Sequence, residues 1–169
     1  MAKLFVHGNP ETADIWTSLI EGLRDLGVSD AEAISPPGFG SPLPETFEPT
    51  QLGYRQWLID QLEAAGGDVD LVGHDWGAGH VYGVLAARPD LVRSWAADCA
   101  GLLHPDYTWH DAARAWQTPD VGEQVISAMV GSPEADRKSG LCALGIPEPV
   151  AELMAQAQNE SMGRCILEL

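Results

Sequence analysis

The pentapeptide Gly73-His74-Asp75-Trp76-Gly77 carries the residue types and spacing best suited to chemistry in this chain. A G-x-nucleophile-x-G segment between a strand and a helix makes a tight, strained bend that holds its central side chain above the end of a sheet. Glycines at the flanking positions allow the close packing that such a bend demands. The central residue here is Asp75. A serine in that place would need a neighbouring base before it attacked. A carboxylate, with an ordinary pKa of about 3.9, is already an anion at neutral pH. Its attack on an amide gives a readily reversed anhydride. Its attack on a saturated carbon bearing a leaving group gives a covalent alkyl ester, which water can then cleave. The competing reading of Asp75 is a helix N-cap, for which Asp is a favoured residue.

The neighbouring segments supply the setting that the bend requires. Val69, Leu71 and Val72 form a short apolar run of buried-strand type, and an apolar helix follows Gly77 and ends near Arg88-Pro89. Leu4-Phe5-Val6 is another buried-type strand, ending in His7-Gly8-Asn9-Pro10. Ile15, Trp16, Leu19, Ile20, Leu23 and Leu26 follow helical spacing, with Thr12 or Asp14 as cap and Gly27 as stop. Ala31 to Ser35 reads as a strand, and Pro36-Pro37-Gly38-Phe39-Gly40-Ser41-Pro42 as a rigid loop. A helix is expected from Leu52 to Ala65 and a strand from Val92 to Ala97. This alternation predicts an α/β core over residues 1–100, a mostly parallel sheet flanked by helices.

Residues 101–169 change character. No strand is evident, and helical stretches near 109–116, 120–130, 133–143 and 147–158 are parted by Pro119, Pro133 and Pro147. The stretch from Ser161 also looks helical. These residues are expected to form a helical cap segment. Val92 to Ala97 would then be an exposed apolar edge strand, open to self-association.

With 169 residues, 45% of them hydrophobic, the chain can bury a substantial core. Its net charge of −16 argues against nucleic acid or an anionic membrane surface as a partner. No apolar run approaches the roughly 20 residues of a membrane span. The opening MAKLFVHG lacks the apolar core of a signal peptide. Cys99, Cys142 and Cys165 lie far apart with no C-x-x-C, as expected of reduced thiols in the cytoplasm. A small molecule is the expected partner, and no cofactor is implied. His104 and His110 lack a third ligand for a metal.

Three motifs, His7-Gly8-Asn9-Pro10, Pro37-Gly38-Phe39-Gly40-Ser41 and Gly73-His74-Asp75-Trp76-Gly77, occur in order after successive strands. Together they resemble the α/β-hydrolase fold superfamily, and within it the aspartate-nucleophile branch of haloalkane dehalogenases and epoxide hydrolases. The resemblance spans the whole chain, since the helical segment falls where that branch inserts its cap. It implies Asp75 as the nucleophile. It also implies that the side chains of Asn9 and Trp76 donate N–H groups to a departing halide. Neutral donors suit that task, because they stabilise a developing anion without pairing with Asp75. The backbone N–H of Trp76 and one near Asn9 would form an oxyanion hole. Trp109, Trp116, Val125, Ile126 and Met129 suit an apolar pocket.

Epoxide hydrolases share H-D-W-G but commonly carry an aromatic residue where Asn9 stands, and they use two cap tyrosines. Tyr107 is the only tyrosine of the cap segment, so dehalogenase-like chemistry is the expectation. Epoxide hydrolysis and a non-catalytic binding protein are the alternatives. The resemblance further implies a histidine that activates water and an acid that orients it, both usually placed after the cap. The chain is expected to end within the cap, before that histidine. His7 belongs to the oxyanion segment, His74 points away, His80 lies on the next helix, and His104 and His110 stand at the cap entrance. Asp98, at the end of the fourth strand, lies close to where some dehalogenases place the acid. On this reading the chain alone forms an ester on Asp75 and stalls there.

Overall fold

Four short apolar strands pair into a single parallel sheet in the computed structural model, which describes residues 1–169. They are β1 (Lys3–Val6), β2 (Ala31–Ile34), β3 (Val69–Gly73) and β4 (Val92–Ala97), in the order β2-β1-β3-β4. Parallel pairing requires a crossover between neighbours, and the helices α1 (Thr17–Asp25), α2 (Gln51–Ala64) and α3 (Trp76–Ala87) provide it. The register sets Val6 beside Gly73, so β1 and β3 end side by side. Each is followed at once by one of the glycine-containing motifs. That pairing brings residues 7–9 against the bend at 73–77.

Both faces of the sheet are covered around β1 and β3, whereas β4 is mostly exposed. Leu4, Val6, Val69 and Leu71 pack with Leu58 and Leu62 of α2 and with Val81 and Val84 of α3. Phe5, Ile20 and Ala31 form the smaller cluster on the α1 side, with Trp16 against it. At about 1.5–3 kcal/mol for each large aliphatic side chain buried, the first cluster dominates the stability of this half.

Strand and helix limits fall within a residue or two of those expected, with one difference. The first helical stretch opens as a 3₁₀ turn, Ala13–Trp16, before α1 begins. Thr12 makes no capping bond there, because its hydroxyl donates instead to Asp14 Oδ2 at 2.7 Å. Thr50 does cap α2, accepting from the Gly53 N–H at 3.2 Å.

After β4 the chain is helical: α4 (Asp111–Trp116), α5 (Val121–Gly131), α6 (Glu134–Ala143), α7 (Glu148–Ala157) and α8 (Glu160–Glu168). Leu141, Ala151, Met154 and Ala155 hold α6 to α7. Ile126 packs with Met162, Cys165 and Ile166 of α8 against Phe39 and Tyr54, and Met129 borders the same cluster. This corrects the expectation that Ile126 and Met129 belong to the apolar substrate pocket: Ile126 borders a separate cleft beside α8, and neither reaches the cavity at Asp75. Helical spacing turns them together toward α8, and neighbouring Val125 faces outward. No helix is long and apolar enough to cross a membrane. β4 pairs only with β3, and Trp95 on it is 53% exposed.

Candidate active site

Asp75 adopts φ 52° and ψ −122°, a left-handed conformation that is uncommon for a residue with a side chain. It stands where α3 begins, yet its side chain makes no capping bond to that helix. Oδ2 instead accepts the backbone N–H of Asn9 at 2.9 Å. Two glycines make this arrangement sterically feasible. A Cβ on Gly8 would overlap the Asp75 carboxylate, and one on Gly77 would overlap Val6 O and lie 2.7 Å from His7 O. The nucleophile motif and the His7-Gly8-Asn9 segment are therefore interlocked at backbone distance.

Asn9, Asp75 and Trp76 line one narrow cavity of about 20 Å³, together with Cys99, Tyr107, Trp109, His110 and Trp116. That volume holds roughly one water-sized body. The indole of Trp76 stacks on that of Trp109, with centroids 5.8 Å apart and planes at 19°. Tyr107 meets Trp109 edge-on at 5.2 Å. The helical segment thus puts aromatic faces over Asp75. A larger open cleft, about 440 Å³, lies between the Gly38–Leu43 loop and α7, but it contains none of these residues. The enclosed cavity is the better place for chemistry, because its walls are mostly apolar and it holds the acid of the strained bend beside Asn9 and Trp76.

The histidines are occupied in different ways. His7 is buried, with Nδ1 2.8 Å from Gly8 O and Nε2 3.0 Å from Ser35 Oγ, and burial pushes its pKa down. His80, stacked on Tyr54 at 5.0 Å, is pushed down to about 3 by burial and is neutral. His110, expected only at the cap entrance, lines the cavity. Its Nδ1 accepts the Ala113 N–H at 3.3 Å and caps α4. His74 faces away from the cavity. Its Nδ1 is 2.5 Å from Asp98 Oδ2 and its Nε2 3.4 Å from Glu11 Oε1.

Glu11 first, and Asp98 after it, push the His74 pKa up to about 9 against partial burial. Burial works against the charge on Asp98, but bonds from His74 and from the Asp75 N–H outweigh it and hold its carboxyl below the usual range. Asp98 Oδ1 accepts that N–H at 3.0 Å, so this acid touches the backbone of the bend. No group of three or more His, Cys, Asp or Glu side chains is arranged to hold a metal ion. Sequence reasoning passed over Glu11 and Cys99, since neither belongs to a spaced motif. The capping role of His110 had no such signal, since the helical stretch was expected to begin near 109 and His is not among the favoured N-cap residues.

Residues 4–120 match the model of the alpha/beta hydrolase family. The chain is 29% identical over 133 residues to a haloalkane dehalogenase of Mesorhizobium japonicum, an alignment covering 73% of this chain and 42% of that one. It is 35% identical over 123 residues to epoxide hydrolase 2 of Siraitia grosvenorii, covering 68% and 37% respectively. Its fold is similar to that of a haloalkane dehalogenase loop variant from Bradyrhizobium elkanii, with a TM-score of 0.66 at 20% identity, over 99% of this chain and 60% of that one. The chain spans about two fifths of the length of the curated relatives it matches. A family match across most of the chain agrees with the parallel sheet and the strained bend at its edge, and the chain belongs to the alpha/beta hydrolase family.

Proposed function

We propose that this chain is the nucleophile-bearing part of a haloalkane dehalogenase-like hydrolase that acts on small apolar substrates in the cytoplasm. The observation that carries the proposal is the release of the Asp75 side chain from its helix into a cavity shared with Asn9 and Trp76. In this reading, residues 1–100 form the core and residues 101–169 the cap, which contributes Trp109 and Trp116 to the roof.

Asp75 Oδ2 is held by the Asn9 N–H, and Oδ1 is the attacking atom. A lone pair on Oδ1 forms a bond to the substrate carbon as the carbon–halogen bond breaks. The halide leaves with the bonding pair, toward the side-chain donors of Asn9 and Trp76. The product is an alkyl ester on Asp75. Hydrolysis of that ester needs a base to deprotonate water. His74, held protonated, is unsuited to this, and His7 and His80 are buried outside the cavity. His110 borders the cavity, but its Nδ1 is engaged by the Ala113 N–H and no acid is paired with its ring to orient it as a base. The adduct therefore accumulates on this chain. Epoxide opening by paired tyrosines receives less support, because Tyr54 donates to Pro37 O at 2.9 Å and Tyr82 to Asp98 O at 2.7 Å. Only Tyr107 borders the cavity.

Incubation with a short primary alkyl bromide, followed by intact-protein mass spectrometry and peptide mapping, tests the reading. One alkyl group on Asp75, absent in Asp75→Asn, is expected. A folded chain that gains no alkyl mass, or gains it equally in the variant, refutes it. An alkyl bromide that binds and dissociates intact would favour the non-catalytic alternative.

A further inference from the structure

Three carboxylates crowd one corner of the sheet edge, and a single imidazole lies among them. Glu11 comes from the loop after β1, Asp98 from the end of β4, and Asp75 from the bend between β3 and α3. His74 Nε2 faces Glu11 Oε1 at 3.4 Å, and Nδ1 faces Asp98 Oδ2 at 2.5 Å. Each of these two acids uses its second oxygen on a backbone N–H of the site. Glu11 Oε2 accepts from Gly8 at 2.9 Å, and Asp98 Oδ1 accepts from Asp75 at 3.0 Å. Gly8 directly precedes Asn9, whose own N–H binds the Asp75 carboxylate. The contacts form a closed circuit around the bend.

We infer that His74, as an imidazolium, is a positioning residue for Asp75, tying Glu11 to Asp98 and so fixing both backbone arms that hold the nucleophile. Both ring nitrogens face acceptors, and only the doubly protonated ring has two N–H donors to satisfy them. A neutral ring would set a lone pair against one carboxylate. The positive charge also offsets the mutual repulsion of three acids in one corner.

The groups packed around the ring are few. Glu11 and Asp98 are its ionic neighbours, and Trp16 of the 3₁₀ turn meets it edge-on at 6.3 Å. Asp98 is further contacted by the Tyr82 hydroxyl, at its backbone oxygen, and by the thiol of Cys99. The lifted pKa, near 9, keeps the tie intact through neutral pH and releases it in alkaline solution. The inference deepens the Asp75 reading and depends on it for its catalytic consequence, but its structural test is independent of alkylation.

That test is a pH titration of the full chain from 5 to 10.5 by heteronuclear NMR, following the His74 ring and the amides of Gly8 and Asp75. The expected result is a His74 midpoint near 9, with both amides shifting at the same midpoint. In Glu11→Gln, which keeps the shape, the midpoint should fall by at least one pH unit. In His74→Gln, both amides should lose their alkaline transition. A midpoint at or below 7, amides indifferent to it, or an unchanged midpoint in Glu11→Gln overturns the inference. Alkylation of Asp75 should slow several-fold above pH 9 in the native chain and show no such inflection in His74→Gln. Absence of alkylation at every pH refutes the nucleophile reading, while the NMR midpoints still decide the role of His74.

Discussion

Replacing Gly77 by alanine, with Gly79→Ala as its partner experiment, isolates the packing on which the bend depends. Both glycines lie in the first turn of α3, and alanine at either site improves helix propensity by about 1 kcal/mol. Their surroundings differ. A Cβ on Gly79 meets nothing closer than Trp76 Cε3 at 3.7 Å, an ordinary contact. A Cβ on Gly77 collides with the carbonyls of Val6 and His7, which are backbone atoms. β1 cannot withdraw, because Val6 is held between Ile34 on one side and Gly73 on the other. Overpacking of this kind costs typically about 1–3 kcal/mol, and two rigid carbonyls place Gly77→Ala at the upper end. With a urea slope of about 2 kcal/mol per molar, Gly77→Ala should lower the unfolding midpoint by roughly 1 M or more, and Gly79→Ala should raise it by up to ~0.5 M. Urea titration followed by far-UV circular dichroism reads both. Equal shifts in the two variants, or a Gly77→Ala protein within about 0.5 kcal/mol of the native chain, would refute the claim that α3 and β1 meet at backbone distance.

Trp109→Ala removes the stack on Trp76 and the edge contact with Tyr107, each worth about 0.5–1.5 kcal/mol, and opens the cavity. Adduct formation with longer or branched alkyl bromides should rise relative to short ones, as read by intact mass, and an unchanged size preference would remove Trp109 from the roof. His80 is neutral in the fold with a pKa near 3, below its ordinary value of 6.5, so the stability it contributes is present above pH 6.5 and is lost as pH falls toward 3. Its share of the acid slope approaches about 1.4 kcal/mol per pH unit, and His80→Phe, which can keep the stack on Tyr54, should lose that share in urea titrations between pH 6 and 4. Identical pH profiles would contradict it. The bare side of β4 should pair two copies at high protein concentration, and Trp95→Lys should reduce the apparent mass in light scattering to that of one chain.

The bend was legible because its constraints are local. Two glycines, an acid and the apolar runs on either side are contiguous, and period and spacing therefore identify the strand, the turn and the helix. His7-Gly8-Asn9 could be associated with it only through the order of motifs, yet the Val6–Gly73 register brings the two together as expected. The Glu11–His74–Asp98 tie was not legible. Its members are 63 and 24 residues apart, and an acid that binds a distant imidazole has no spacing signature. The expectation that His74 turns from the cavity agreed with its position but missed what it turns toward. The aromatic roof was half legible. Apolar residues of the cap were recognisable as buried, but which of them face Asp75 and which face α8 depends on the helical phase relative to partners that a single sequence does not name.

The seat of α8 bears on the order in which the chain assembles. Pro37 O receives both the Tyr54 hydroxyl and the Cys165 thiol, and Cys165 Sγ fills the space where any side chain on residue 38 would stand. The two ends of that contact are 128 residues apart. During synthesis from the N-terminus the sheet and its crossovers can form early, while Phe39 and Tyr54 wait with one face wet until α8 emerges. A contact so distant in sequence closes late and slowly. The loop after β2 therefore takes its final shape only when α8 arrives to cover it.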